Sequence, residues 1–472
     1  MEQTTVRETV SRLWADEVLP SLSGLVEIPA LSQSFDPDWA ANGHLAAAVE
    51  HVRAWVAARQ LPGAKLDVVS VDGRSPVLLV DVPASPGAED RGTVLLYGHL
   101  DKQPPVGGWS EGLGPWTPVV RGEKLFGRGS ADDGYAGYAA VTALEAIHAA
   151  GGKHARSVIL LETGEESGSP DLPVYLEHLA GRLGEVSFVI CLDSGGNDYE
   201  RLWLTTSLRG MAQVHVKVRV LESAQHSGLA SGVVPSSFRV LRLLLDRLED
   251  AETGEIKLAE LNVAIPENRI AEARATVEVA PGSVKSAFPL VEGMRPVSDD
   301  ELELTLNNSW RPTLSVIGAA GFPEPADAGN VLRDSSTLAL SFRLPPTADS
   351  AAALNAVEKA LTTDAPYGAQ VELAGVEHAT GWNAPDAAPW LAAALEKVSD
   401  EVFGAPWRSV GLGGSIPFMG LLAAKYPAAQ FLVTGALGPD SNAHVPDEWL
   451  HLPQAQRLTE AVAHAVDAHA RG

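Results

Sequence analysis

The sequence predicts an α/β fold built on a buried, mostly parallel sheet. Short apolar runs at 92–97, 157–161 and 186–191 alternate with helical stretches, which is typical of parallel strands that are covered on both faces. A fourth run, at 429–433, comes late in the chain. Because ligands bind beyond the carboxyl ends of such strands, the residues that follow these runs are the first candidates for a functional site.

The elements up to about residue 208 follow this alternation. An alanine-rich helix is predicted at 133–150, because Asp132 stands at its start and a glycine pair follows its end. Apolar residues at helical spacing predict two earlier helices, and two short extended runs predict a meander before the first buried strand. These four elements are the helices at 5–28 and 45–58 and the strands at 66–69 and 76–81.

The pattern then changes. Strict alternation of valine with other residues predicts a half-exposed strand at 211–220. An amphipathic helix at 235–248 begins with a proline in its first turn. Two helices and several strands in this order predict a small antiparallel α+β domain. Its remaining elements are the strands at 313–317, 337–344 and 370–373 and the helix at 351–361.

We therefore predict an α/β domain that is interrupted by an insert. Its first part is 1–208, the α+β insert is 209–378, and the second part is 379–472. The α/β pattern returns in that last part with helices at 390–403 and 454–470. A site that uses residues after the strand at 429–433 consequently needs both parts of this domain.

Composition excludes several classes of function. The chain has 472 residues, with 60 acids against 35 bases and a net charge of −25. Phosphate contacts need a basic face, so we expect no nucleic-acid partner. The single cysteine, Cys191, permits no intrachain disulfide and favours a reducing compartment. We see no signal peptide and no apolar stretch of membrane-spanning length, and we expect a cytoplasmic protein without a membrane partner.

His99 and Asp101 follow the first apolar run. Residues two apart on a strand point the same way. A metal-binding histidine usually donates its second N–H to a carboxylate, and Asp101 is placed to accept it. The alternative is a histidine at the end of a strand that is merely capped by an acid.

Further acids and a second histidine follow the other runs. Asp132 lies in a glycine-rich turn and could be an ordinary helix N-cap, but one carboxylate can also bridge two cations. The pair Glu165-Glu166 would repel unless a cation held it, and Glu165 would then be free to move a proton. Asp193 and His444, taken singly, are equally explained as turn residues. Together these residues predict divalent metal ligation, with zinc favoured and manganese or cobalt as alternatives.

At these residues the chain resembles the carnosinase and cytosolic non-specific dipeptidase group of dinuclear metallopeptidases. That superfamily also contains aminoacylase, acetylornithine deacetylase, succinyl-diaminopimelate desuccinylase and carboxypeptidase G. The resemblance implies a phosphorylase/hydrolase-like catalytic domain with an inserted ferredoxin-like lid and dimerisation domain. The matching stretches are 99–104, 127–133, 165–169, Asp193, 226–228, Arg343, 413–417 and His444.

The resemblance also implies a role for each matching residue. One metal would be held by His99, Asp132 and Asp193, and the other by Asp132, Glu166 and His444. Asp101 would orient His99, and Glu165 would be the general base and acid. The peptide between Asp132 and Asp133 is expected to be cis. His226 would be catalytic, because it would reach into the partner subunit's site and polarise the scissile carbonyl. The residues expected to bind substrate are Arg343, Gly414 and Ser415, which would grip its carboxylate, and Asn330, which would add a hydrogen bond.

One departure concerns the residue after Asp133. Dipeptidases of this group usually have a lysine there, whereas this chain has Gly134 followed by Tyr135. The set of metal-binding residues is intact, but the subfamily and the substrate stay open.

The predicted function is hydrolysis of the amide bond of dipeptides or similar small amino-acid conjugates by a homodimer. A water bridging the two metal ions would be activated by Glu165. An N-acyl-amino-acid deacylase or a carboxypeptidase on the same site is the first alternative. A catalytically silent binding protein is the second, although every ligand and the base are present.

Overall fold

The computed structural model describes residues 1–59, 61–414 and 417–472. The strands in chain order are β1 (Lys65–Val69), β2 (Val77–Val82), β3 (Thr93–His99), β4 (Val119–Arg121), β5 (Lys124–Phe126), β6 (Arg156–Glu162), β7 (Val186–Cys191), β8 (Trp203–Leu208), β9 (Gly210–Arg219), β10 (Gln225–His226), β11 (Thr313–Ala320), β12 (Val331–Leu332), β13 (Ser335–Leu344), β14 (Gln370–Ala379), β15 (Trp382–Asn383), β16 (Arg408–Leu412), β17 (Gln430–Val433) and β18 (Trp449–His451).

The other main elements of the described chain are α-helices. In chain order they are α1 (Gln3–Leu13), α2 (Leu19–Val26), α3 (Trp39–Asn42), α4 (His44–Ala57), α5 (Ala136–Ala149), α6 (Leu172–His178), α7 (Ala180–Leu183), α8 (Ser227–Ala230), α9 (Ser237–Leu245), α10 (Glu267–Val279), α11 (Ser283–Ser286), α12 (Glu301–Ser309), α13 (Ser350–Thr362), α14 (Pro389–Val398), α15 (Pro417–Lys425) and α16 (Leu452–Arg471). Among the described residues, none of these helices is both long enough and apolar enough to cross a lipid bilayer.

The chain divides into two compact units. Unit 1 is Met1–Thr206, Ala384–Val410 and Leu421–Gly472, and unit 2 is Ser207–Asn383 and Gly411–Gly420. The boundaries fall inside β8 and β16. The short segment from Gly411 to Gly420, which the sequence analysis assigns to the α/β domain, groups with unit 2.

Unit 1 contains a six-stranded sheet of order β1-β2-β6-β3-β7-β17. The four strands β6, β3, β7 and β17 are parallel. The predicted meander is formed by β1 and β2, and β2 is antiparallel to both β1 and β6. Apolar side chains of α1, α4, α5 and α16 share one core with these strands. The parallel strands place the residues that follow them at one edge of the sheet.

The helix predicted at 133–150 begins later than expected, at Ala136. The backbone angles of Asp132 and Asp133 are non-helical, so these two acids belong to the turn before α5 and not to its first turn. Their peptide bond is cis, as the resemblance implies.

Unit 2 contains a four-stranded antiparallel sheet of order β11-β13-β9-β14. Its core lies on the face that α9 and α13 cover. Along β13, buried side chains alternate with half-buried ones. Successive side chains point to opposite faces, so the face of β13 away from the core is half-buried. The helix predicted at 235–248 begins at Ser237, since the Ser236 hydroxyl accepts a hydrogen bond from the Arg239 N–H and caps it. The sequence analysis missed α10, α11 and α12.

Candidate metal centre

Two groups of potential ligands converge at the carboxyl edge of the parallel sheet in unit 1. In each group, one nitrogen or carboxylate oxygen per residue lies within 4.8 Å of the others. Asp132 belongs to both groups, so its carboxylate lies where the two groups meet. The first group is His99, Asp132 and Asp193, and the second is Asp132, Glu166 and His444.

The two oxygens of Asp132 face different histidines. Oδ1 lies 3.3 Å from Nε2 of His99, and Oδ2 lies 2.9 Å from Nε2 of His444. The remaining acids complete the two groups, with Asp193 Oδ2 at 3.9 Å from His99 Nε2 and Glu166 Oε2 at 3.3 Å from His444 Nε2. This is the arrangement that a carboxylate bridging two cations requires.

Local structure explains how each ligand reaches this edge. His99 is the last residue of β3, and Asp193 comes two residues after β7. Glu166 lies in a single 3₁₀ turn after β6. His444 lies in a loop after β17, where its φ of 66° is in the left-handed region. Four separate parts of unit 1 therefore supply the site together with the turn of Asp132.

Asp101 has a wider role than the sequence analysis assigned to it. Its Oδ1 lies 3.4 Å from Nδ1 of His99, but the same ring nitrogen is closer to the Asp101 carbonyl oxygen, at 3.1 Å. The carboxylate also accepts hydrogen bonds from the backbone N–H groups of Glu165 (3.2 Å) and Glu166 (3.0 Å). Asp101 therefore fixes the turn that carries both glutamates as well as the histidine.

The raised pKa values of acids at this site indicate that a bound positive charge would stabilise their charged forms. Burial, followed by the charge of Asp132, raises the pKa of Glu166 to about 8 and that of Asp193 to about 7. Burial and the charge of Asp193 raise the pKa of Glu165 well above its usual range. Burial would also raise the pKa of Asp132, but the hydrogen bond from His444 and the nearby imidazole of His99 outweigh it and hold that pKa well below the usual range.

The residues present fit a pair of divalent cations. Nε2 of His99 is buried and has no hydrogen-bond partner among the described residues, although three carboxylates lie within 4.0 Å of it, those of Asp132, Asp193 and Glu165. Imidazole nitrogens and carboxylate oxygens are ligands that zinc accepts. Cations here would both engage this nitrogen and offset the repulsion between the acids.

A buried ion pair connects the two loops that carry Asp132 and His444. Arg128 Nη1 donates to Oε2 of Glu448 at 2.6 Å, and Oε1 of Glu448 accepts from the Gly129 N–H at 2.9 Å. The sequence analysis noted Arg128 within a motif without giving it a role, and it missed Glu448. No pattern in the sequence distinguishes Glu448 from other loop acids.

The backbone around Gly134 leaves no space for a lysine side chain after Asp133. A Cβ atom on Gly134 would lie 2.4 Å from the carbonyl oxygen of Gly129, so the turn has no room for a side chain there. The next residue, Tyr135, is buried. Its hydroxyl donates to the Leu192 carbonyl (2.7 Å) and accepts from the Ala436 N–H (3.0 Å), which ties α5 to the segments that follow β7 and β17.

The predicted substrate-binding residues belong to unit 2. His226 is exposed and its Nδ1 accepts from the Gly228 N–H at 3.0 Å. Asn330 lies beside it, because its carbonyl oxygen accepts from the Ser227 N–H at 2.9 Å. Arg343 lies on β13, and Gly414 follows β16. Ser415 lies outside the described residues.

Arg209 is a buried cation that the sequence analysis missed. Its Nε donates to the Gly413 carbonyl oxygen at 3.0 Å. Burial, and then the charge of Arg343, lower the pKa of Arg209 to about 10. Nη1 of Arg209 also donates to Oγ1 of Thr313 at 3.4 Å, and Thr313 is the cross-strand partner of Arg343. Arg209 therefore lies near Arg343 as well as the glycine-rich turn that contains Gly414.

Comparisons with known proteins identify the family of this chain. A model of peptidase family M20/M25/M40 matches residues 95–468. The cysteinylglycine-S-conjugate dipeptidase of Corynebacterium striatum is 28% identical over 429 residues, which are 88% of this chain and 89% of that protein. The Beta-Ala-His dipeptidase of Mus musculus is 28% identical over 294 residues, which are 58% of this chain and 56% of that protein. These findings confirm the resemblance that the motifs indicated.

The fold is shared with solved structures. The di-peptidase Dug1p from Saccharomyces cerevisiae is similar to this chain with a TM-score of 0.75 at 21% identity, and the likeness covers 100% of this chain and 99% of that one. At this identity the likeness concerns the fold alone. It confirms the predicted α/β class with a central, mostly parallel sheet.

In the metal-free protein, the free energy of unfolding should fall as pH rises from about 5 to about 9. Glu162, Glu166 and Asp193 have pKa values raised by burial to about 7, 8 and 7, and the hydrogen bond to Asp132 raises that of His444 to about 9. These raised groups bind more protons in the folded state than in the unfolded state, so they lower stability as pH rises. They outnumber Lys102, His464 and His469, whose pKa values burial lowers to about 7, 4 and 4 and which act in the opposite direction. Urea unfolding at several pH values measures the slope.

The variant Glu162→Gln tests one of these groups separately. Glu162 is buried and accepts hydrogen bonds from Tyr97 and Ser169, and the amide mimics its neutral form. We expect Glu162→Gln to reduce the loss of unfolding free energy between pH 5 and pH 8 by roughly 1–3 kcal/mol. The matched control is Glu8→Gln, at an exposed position on α1. A stability that increases with pH would contradict this account.

Proposed function

Because this chain belongs to peptidase family M20/M25/M40, and is therefore a metallopeptidase, we propose that it hydrolyses dipeptides at a two-metal centre with Glu165 as the proton carrier. The observation that carries the proposal is the carboxylate of Asp132, whose two oxygens face His99 and His444 at 3.3 Å and 2.9 Å. The dipeptidase relatives support the substrate class.

We assign one cation site to each of the two ligand groups that share Asp132. Support comes from the short distances within each group and from the buried, unpaired Nε2 of His99. Two imidazoles and several carboxylates favour zinc, with manganese or cobalt as alternatives. Two bound divalent ions would lower the pKa of a shared water to about 7 and polarise the carbonyl of the peptide bond.

Glu165 is assigned to proton transfer and not to metal binding. The Asp101 carboxylate holds the Glu165 N–H at 3.2 Å, so the glutamate is positioned by its backbone while its side chain stays available. Burial and neighbouring acids raise its pKa, which is the direction that a group needs in order to accept a proton near neutral pH and release it again. Its carboxylate takes a proton from water and delivers it to the nitrogen of the leaving amine.

Unit 2 is assigned to substrate binding as a ferredoxin-like lid. In chain order, the four strands of its antiparallel sheet and the helices α9 and α13 give β-α-β-β-α-β, which supports that assignment. His226 would stabilise the developing oxyanion. The substrate carboxylate would be bound by Arg343, Asn330, Gly414 and Ser415.

The same unit is assigned to homodimer formation. The strand β11 lies at one end of the four-stranded sheet, and an uncovered edge is able to pair with another chain. Val316 and Ile317 on this strand are 50% and 58% exposed, which favours burial against a second copy. In such a dimer, His226 would serve the site of the partner subunit.

Replacement of the base should abolish turnover without loss of metal. We expect Glu165→Gln to lower kcat by about 10²–10⁴-fold, because the amide accepts no proton, while the bound metal per chain stays unchanged. Dipeptide hydrolysis and elemental analysis of the same sample measure both quantities. Glu177→Gln, an exposed glutamate on α6, is the matched control, and near-normal turnover in Glu165→Gln would refute the assignment.

Metal content should depend on which ligand is removed. His444→Ala takes a ligand from one group only and should lower the content from two ions per chain toward one. Asp132→Asn affects both groups and should lower it toward zero, because one shared ligand contributes to both sites. Elemental analysis after dialysis measures the stoichiometry, and equal metal loss in the two variants would argue against a shared aspartate.

Mixed dimers can show which subunit His226 serves. His226→Ala and Glu165→Gln chains should each be nearly inactive alone. If His226 acts in the partner's site, random reassortment restores about a quarter of the wild-type sites, since one site in each mixed dimer has both groups. If His226 acts within its own chain, no site in the mixture is complete, and mixing restores nothing.

A further inference from the structure

Unit 2 contains a cavity of about 420 Å³ that the proposed reaction does not yet use. This volume is in the range of small-molecule sites. One wall is formed by apolar side chains from the segment between α11 and α12 and from α12 itself. These side chains are Phe288, Leu290, Val297 and Leu304.

The apolar wall is open to solvent. Phe288 is 56% exposed, Leu290 is 45% exposed and Val297 is 83% exposed. Large apolar side chains that line a concave surface and remain exposed gain free energy when an apolar group covers them. The cavity therefore favours a ligand with an apolar part.

The cavity also has cationic lining residues, Arg209 and Lys285. Arg209 lines the cavity and is held in place by the carbonyl oxygens of Gly413 (3.0 Å) and Asn307 (3.2 Å). Its pKa, lowered by burial and by Arg343 to about 10, still leaves it charged at neutral pH. Two neighbouring guanidinium groups favour an anion beside the apolar wall.

The sheet register places Arg343 next to the same cavity. Thr313, which lines it, is the direct cross-strand partner of Arg343 between β11 and β13. Directly opposed residues of an antiparallel pair project from the same face. Arg343 therefore projects from the face of the sheet on which the Thr313 side chain meets the cavity.

We propose that this cavity binds the side chain of the carboxyl-terminal residue of the dipeptide and selects a large apolar residue there. The proposal rests on the proposed function, in which Arg343 binds the substrate carboxylate. The side chain of that residue is attached to the carbon that bears the carboxylate, so an anion at Arg343 and an apolar group in the cavity belong to one amino acid. Glycine in that position would leave the apolar wall exposed.

The test compares Ala-Gly, Ala-Leu and Ala-Phe as substrates of the metal-loaded enzyme. We expect kcat/KM for Ala-Leu and Ala-Phe to exceed that for Ala-Gly by about tenfold or more, the effect of covering a large apolar side chain. Leu290→Ala and Phe288→Ala should lower this ratio by about fivefold, because less apolar surface is left to cover the side chain of the substrate. Leu243→Ala, on α9 with 42% exposure and outside the cavity, should leave all three substrates unchanged.

A binding measurement separates failure of this proposal from failure of the proposed function. Calorimetric titration of the metal-loaded protein should show tighter binding of L-leucine than of glycine, and Leu290→Ala should remove the difference. If that pattern holds in a protein that hydrolyses no dipeptide, the subsite stands and the proposed function fails. If dipeptides are hydrolysed with equal kcat/KM for Ala-Gly and Ala-Leu in the wild type and in Leu290→Ala, the subsite is wrong and the proposed function stands.

Discussion

The carboxylate of Asp132 is the interaction on which the rest of the site depends. Among the described residues, it is the one carboxylate within 4 Å of both histidines, and it is buried near acids that repel one another. Without positive charge, such a cluster keeps its acids protonated, which is why burial raises the pKa values of Glu166 and Asp193. Cations between the two histidines would offset the repulsion between these acids, and Asp132 would contribute a ligand to both of them.

The geometry around Asp132 is maintained by contacts between distant parts of unit 1. The ion pair of Arg128 with Glu448 joins residues 320 positions apart in the sequence. The hydroxyl of Tyr135 holds α5 against the segments that follow two parallel strands, and Asp101 holds the turn of Glu165 and Glu166. These groups touch no substrate, yet each fixes a loop that carries a proposed ligand, which is the usual role of residues around a metal site.

Much of this arrangement could be predicted from the sequence. Apolar runs located the parallel strands, and the acids and histidines that follow them do converge at one edge, because parallel strands end on the same side of the sheet. The role of these residues as metal ligands remains a proposal. The early start predicted for α5 has a clear reason, since the backbone at Asp132 and Asp133 is non-helical and an acid before a helical stretch looks the same whether it caps the helix or precedes it.

Other features depend on tertiary contacts that a single sequence does not reveal. Glu448 resembles any loop acid until its pairing with Arg128 is seen, and Arg209 resembles any strand-end cation until the carbonyl groups of Gly413 and Asn307 are placed around it. The segment that contains α10, α11 and α12 has weak periodicity, and its apolar residues face a cavity as well as a core. The sequence shows which side chains are apolar. A cavity depends on where the packed elements leave space between them, and the sequence does not show that.

Anomalous X-ray diffraction at the zinc edge, from crystals grown with zinc, would show directly whether the two ligand groups that share Asp132 hold two cations. We expect two anomalous peaks about 3.5–4 Å apart, with Asp132 between them, His99 beside one and His444 beside the other. A single peak, or two peaks that do not share Asp132, would contradict it.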